Sequence, residues 1–169
     1  MEIKQLDQTY IDDVYAISSR VFMHDFPEYR PGVAEAYVNL YFTKDFFRKL
    51  FKSRLNCLMG AFESNKLVGF VCAKGDLGGV LFIDLLFIDE LFRNKGVGIR
   101  LLKEIEDWAL ANYFHYIWLF TEAKKNIEYY KKRGFYYIGM HKKSWYGENE
   151  HILGKVLRDK PFDEIFKKS

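Results

Sequence analysis

The sequence predicts an α/β fold: a mixed central sheet with helices on both faces, in the order β-α-α-β-β-β-α-β-α-β-β. Three observations predict it. Apolar residues recur at helical spacing up to about residue 51, then change to strand-like runs from Leu58. Three consecutive apolar runs are joined by short turn-like links, which makes them antiparallel neighbours. The third run, Val80 to Ile88, passes through a glycine-containing loop directly into an amphipathic helix. That is the start of a β-α-β unit with parallel strands and a right-handed crossover.

The elements follow in order. MEIKQL alternates as a short strand. Asp7 can cap a helix that carries Tyr10, Ile11, Val14, Ile17, Val21 and Phe22 on one stripe. Two prolines and a glycine make a loop of residues 24–32. A second helix runs from Ala34 to about Phe51, its aromatics at steps of three and four. Leu58 to Phe62, Leu67 to Cys72 and Val80 to Ile88 are strands. The helix after Gly98 puts Leu101, Leu102, Ile105, Trp108 and Ala109 on one face. His115 to Thr121 is a strand, and Asn126 to Arg133 is a helix ended by Gly134. Strands Tyr136 to Met140 and Ile152 to Leu157 close the sheet, and Ser144 to Glu150 makes a hairpin between them.

No linker, repeat or low-complexity segment divides the chain, so 169 residues read as one domain, 1–169. Hydrophobic residues at 49% and charged residues at 29% exclude a disordered chain. No apolar run approaches the ~20 residues of a membrane span. The N-terminus is no secretory signal, so a cytoplasmic protein is expected. Cys57 and Cys72 sit in apolar runs and read as buried thiols of a reducing compartment. No Cys/His grouping has ligand spacing, so no metal is expected. Residues 1–123 hold 14 Lys+Arg against 17 Asp+Glu, and residues 124–169 hold 12 against 6. The basic C-terminal part is interleaved with acids and forms no long tract, so nucleic acid is not the expected partner.

The most informative stretch is LFIDLLFIDELFRNKGVGIRLL, Leu81 to Leu102. Glycines between a strand and a helix expose backbone N–H groups at a helix N-terminus, a ready anion site. A third glycine, as in a dinucleotide fingerprint, would stand at Leu101, and no Gly-Lys-Ser/Thr follows, so those two phosphate binders are disfavoured. On the strand, Val80, Phe82, Asp84, Leu86 and Ile88 share a face, and a lone carboxylate there must be paired or must face a cleft. Downstream, Asn126 and Tyr130 stand four apart on one helix and point the same way. Tyr129 points elsewhere and reads as packing.

Arg93-x-x-Gly96-x-Gly98 together with Tyr130-x-x-x-Gly134-Phe135 resembles the GNAT family of N-acetyltransferases, specifically over residues 81–135 and in topology elsewhere. The resemblance implies acetyl-CoA as co-substrate. Backbone N–H groups of Arg93, Asn94, Lys95, Gly96, Val97, Gly98 and Ile99 would hold its pyrophosphate, aided by Arg93, Lys95, Arg100, Lys124 and Lys125. Main-chain groups of Leu86 and Ile88 would pair with the pantetheine arm, and an N–H near Leu86 or Phe87 would polarise the thioester carbonyl. Asn126 would hydrogen-bond the arm, and Tyr130 would protonate the departing thiolate. Asp84 is the expected proton acceptor for the attacking ammonium, with His24, Glu28 and Glu122 as alternatives. Where the family usually has a proline after the strand, this chain has Glu90.

The resemblance further implies an acceptor groove between residues 24–41 and 143–150. The acceptor would be a small-molecule or peptide amine, attacked directly in a ternary complex by a monomer or homodimer. The alternative is a CoA-binding sensor or partner-binding module on the same fold, which needs neither Asp84 nor Tyr130.

Overall fold

The computed structural model describes residues 1–25 and 32–168. The chain forms two compact units. The expected loop at 24–32 falls largely outside the described residues.

The first unit comprises Met1–Lys74 and Asp84–Asp107. Its strands are β1 (Glu2–Gln5), β2 (Cys57–Glu63), β3 (Lys66–Gly75) and the C-terminal half of β4 (Val80–Ile88), adjacent in that order. β1 and β3 both run antiparallel to β2, with a register shift at Ala61/Phe62. β2 and β3 are buried along nearly their whole length, which explains why neither alternates in sequence. Helix α1 (Ile11–Asp25) follows a single turn that Asp7 caps through Thr9 N at 2.8 Å. Its stripe of Ile11, Val14, Ile17, Val21 and Phe22 is buried as the spacing predicts.

The second expected helix is in fact two, α2 (Val33–Leu40) and α3 (Lys44–Lys52). The break has a local cause. Thr43 takes an extended conformation, and its Oγ1 accepts from Phe46 N at 3.2 Å, an N-cap that competes with continuing the helix. Phe42 and Phe47 on either side are fully buried, ring against ring. Helix α4 (Val97–Ala111) starts in this unit and buries Leu101, Leu102 and Ile105.

The second unit comprises Gly75–Ile83 and Trp108–Ser169. Its strand order is β4-β5-β7-β6, where β5 is Tyr116–Thr121, β6 Tyr136–His141 and β7 Glu150–Val156. β4 and β5 are parallel, and both other pairings are antiparallel, so the sheet is mixed as expected. Helix α5 (Lys124–Lys131) packs on β5, β6 and β7. The described pairing of β4 with β5 runs from Val80↔Tyr116 to Phe82↔Trp118, whereas β4 continues to Ile88.

Candidate active site

β4 alternates perfectly in burial. Leu81, Ile83, Leu85 and Phe87 are buried, and Val80, Phe82, Asp84, Leu86 and Ile88 are half-exposed. The expected face is therefore real, and Asp84 stands on it. The carboxylate is paired: Lys74 Nζ, on β3, lies 2.7 Å from Asp84 Oδ2. The Lys74 ammonium also stands 5.2 Å over the Phe46 ring and acts on the phenol of Tyr41. Burial alone would lower the Lys74 pKa, but the Asp84 carboxylate overrides it and holds the amine charged.

The chain then turns from strand to loop. Asp89 is buried; its Oδ2 accepts from Arg20 Nη2 at 2.9 Å and its Oδ1 caps Leu91 N at 3.3 Å. Its own N–H donates to Val68 O at 2.9 Å. Anchored this way, Asp89 opens a one-turn helix at Glu90–Phe92.

Asn94 and Gly96 follow with φ of 58° and 79°, and α4 begins at Val97. The first helical bond is Arg100 N to Gly96 O. The N–H groups of Val97, Gly98 and Ile99 thus belong to the turn that lacks intrahelical acceptors. A Cβ added at Gly96 would meet nothing within 4 Å, so the loop faces open space there.

Two expected phosphate cations also bond within the chain. Arg93 Nε turns back to Ile88 O at 3.1 Å, and Arg100 Nη2 donates to Met1 O at 3.2 Å. Lys95 lies over the Phe92 ring.

In the second unit, Asn126 Nδ2 donates to Thr121 Oγ1 at 3.0 Å, which fixes its side chain at the start of α5. Tyr130, one turn on, is 8% exposed and packs edge-on against Phe135 and Tyr129. Burial pushes its phenol pKa well above the usual tyrosine range, so the proton stays in place at neutral pH. Tyr129 instead stacks on the Arg133 guanidinium. Gly134, at φ 85°, ends the helix: its N–H reaches Lys131 O, and Phe135 N reaches Tyr130 O.

The β6–β7 connection carries exposed Trp145 and Tyr146. Beneath it, buried Glu150 accepts from Ser144 Oγ at 2.5 Å.

The first unit thus holds Asp84, Leu86, Phe87, Ile88 and Arg93 to Ile99, and the second holds Asn126 and Tyr130. Of the alternative proton acceptors, His24 lies in the last turn of α1 and Glu122 just after β5, while Glu28 is outside the described residues. Sequence reasoning missed Lys74 and the Arg20–Asp89 pair. The one available signal for Lys74 was a lone charge at the end of an apolar strand. Among the described residues, no group of His, Cys, Asp or Glu is placed to hold a metal, and no helix is long and apolar enough to cross a membrane.

A strand-to-helix loop with left-handed residues ahead of a helix N-terminus is a backbone arrangement that can accept an anion. The profile of the Acetyltransferase (GNAT) family matches residues 11–135, more than half of the chain, and the chain belongs to that family. No curated protein matches it by sequence. Among solved structures, the PaiA N-acetyltransferase of Thermoplasma acidophilum, in complex with coenzyme A, is 17% identical over 92% of this chain and 98% of its own, with a TM-score of 0.80. The ribosomal-protein-S18-alanine N-acetyltransferase of Escherichia coli is 17% identical over 96% and 97%, with a TM-score of 0.75. The aminoglycoside 6'-N-acetyltransferase of Enterococcus faecium is 16% identical over 96% and 100%, at 0.69. At such identities the likeness is one of fold.

Proposed function

We propose that residues 1–169 act as a single N-acyltransferase domain that moves acetyl from acetyl-CoA to a primary amine by direct attack. The observation that carries this reading is the Arg93–Ile99 loop, with Gly96 at φ 79° and open space where a Cβ would stand, ahead of the first turn of α4. Its N–H groups suit a pyrophosphate. The end of β4 beyond Phe82↔Trp118 suits an extended arm that adds as a strand, through Leu86 and Ile88, with an N–H near Phe87 toward the thioester carbonyl. Asn126 would steady the same arm.

Each remaining residue has one task. The acceptor arrives as an ammonium, since an alkyl amine has a pKa near ~10.4. Asp84 takes one of its protons, and the freed lone pair forms the C–N bond. The C–S bond breaks, and the thiolate takes the Tyr130 proton. The second nitrogen proton restores the phenol through solvent, so one proton is released overall.

Release of CoA thiol from acetyl-CoA across a panel of amines tests the reading. Tyr130→Phe should lower kcat by roughly 10²-fold with acetyl-CoA affinity kept, because it removes one positioned acid. An unchanged kcat would remove Tyr130 from the chemistry. Acetyl-CoA binding with no release for any amine would favour the sensor alternative.

A further inference from the structure

The group expected to receive the acceptor's ammonium is already occupied. Lys74 Nζ lies 2.7 Å from Asp84 Oδ2, and the pair is only partly sheltered, the Asp84 side chain being 16% exposed and the Lys74 side chain 31%. Both side chains keep some exposure, so an incoming ligand can compete for the pair. Around it stand the Phe46 ring, 5.2 Å from Nζ, and exposed Tyr41, whose ring stacks on Tyr37 at 4.8 Å and leans on Phe46 at 4.8 Å. The result is an aromatic wall beside one cation and one anion.

This arrangement discriminates among amines. A polycation gains little from a carboxylate that a lysine already neutralises, and is repelled by that lysine. An amine that carries its own anion suits both groups: its anion draws Lys74 away, and its ammonium takes the vacated carboxylate. A single ammonium flanked by a phenol matches a carboxylate, whereas a phosphate site gathers more donors.

We propose that Lys74 reads a carboxylate on the acceptor, so that the substrate class is the zwitterionic amine, typified by a free amino acid with an apolar side chain. The proposal rests on the acetyl-transfer reading above. Lys74 is then a specificity residue, and its departure from Asp84 is what makes that carboxylate available as proton acceptor. An acceptor without an anion leaves the pair closed.

The test is kcat/KM for matched pairs, phenylalanine against phenethylamine and lysine against cadaverine, at saturating acetyl-CoA. The wild type should favour the amino acid of each pair by roughly tenfold or more, the scale of one charged contact. Lys74→Met should erase that preference with acetyl-CoA affinity unchanged, and Lys74→Arg should restore part of it. A wild type that uses the decarboxylated amine equally well overturns the proposal and leaves acetyl transfer standing. A Lys74→Met variant that keeps the preference also overturns it. Thiol release with other amines of the panel but with neither amino acid overturns this proposal alone, and no release with any amine of the panel overturns both readings.

Discussion

Gly96→Ala separates a phosphate cradle from a mere turn. The alanine must adopt φ near 79°, which costs an L-residue about 1–2 kcal/mol. Loss of backbone freedom in the unfolded chain returns about 0.4–1 kcal/mol of that. No clash adds to it, because the new Cβ meets nothing within 4 Å. The net loss of stability is therefore about 1 kcal/mol, a fall in Tm of about 2–4 °C for a chain of this size. The same open space is where the pyrophosphate would lie. A methyl there displaces at least one charge-assisted N–H contact, worth about 1.5–3 kcal/mol, or about 10–150-fold in Kd. Calorimetric titration with acetyl-CoA, beside a thermal melt, reads both numbers. Gly79→Ala is the control: at φ 73°, its Cβ would stand 2.8 Å from His115 Nδ1, so it should destabilise more and leave affinity alone. A Gly96→Ala protein with the expected Tm and wild-type affinity for acetyl-CoA would refute the cradle.

Two further outcomes follow from packing and burial. Gly154→Ala would place its Cβ 1.9 Å from Tyr116 Oη and 2.9 Å from Ile138 Cδ1, an overpacking expected to cost about 1–3 kcal/mol in denaturant unfolding. Tyr116→Phe in the same chain should recover part of it, and no recovery would place the strain elsewhere. Burial pushes the thiol pKa of Cys57 up, and burial together with nearby Asp84 does so for Cys72, while an unfolded thiol ionises near about 8.5. The native state therefore keeps protons that the unfolded chain releases. The thiols' contribution to Tm should be flat below about pH 8.5 and fall as pH rises toward the raised native values. Cys57→Ala with Cys72→Ala should lessen that alkaline fall, and superimposable profiles would exclude the thiols as its source.

Much of this protein was legible from its residues alone. β4 could be delimited to the residue because its two faces differ in burial, so alternation survives in the sequence. The Gly96 loop and the Gly134 helix end were legible because each needs a left-handed backbone that glycine adopts without strain. Asp7 was legible as a cap because its oxygen reaches only two residues along the chain. These are local constraints, satisfied within a few residues.

What the tertiary structure decided is pairwise and distant. Thr43 splits the second helix because its neighbours Phe42 and Phe47 must both be buried while its own oxygen takes over as a cap. Arg20 reaches Asp89 across 69 positions only because α1 packs where it does. Arg93 Nε bonds to the carbonyl that ends β4, a contact its charge alone did not announce. Lys74 and Asp84 lie ten positions apart on adjacent strands, and only the register between those strands brings the ammonium to the carboxylate. A sequence records which charges a chain carries; which of them neutralise one another depends on strand register and helix packing, which no single window of the chain contains.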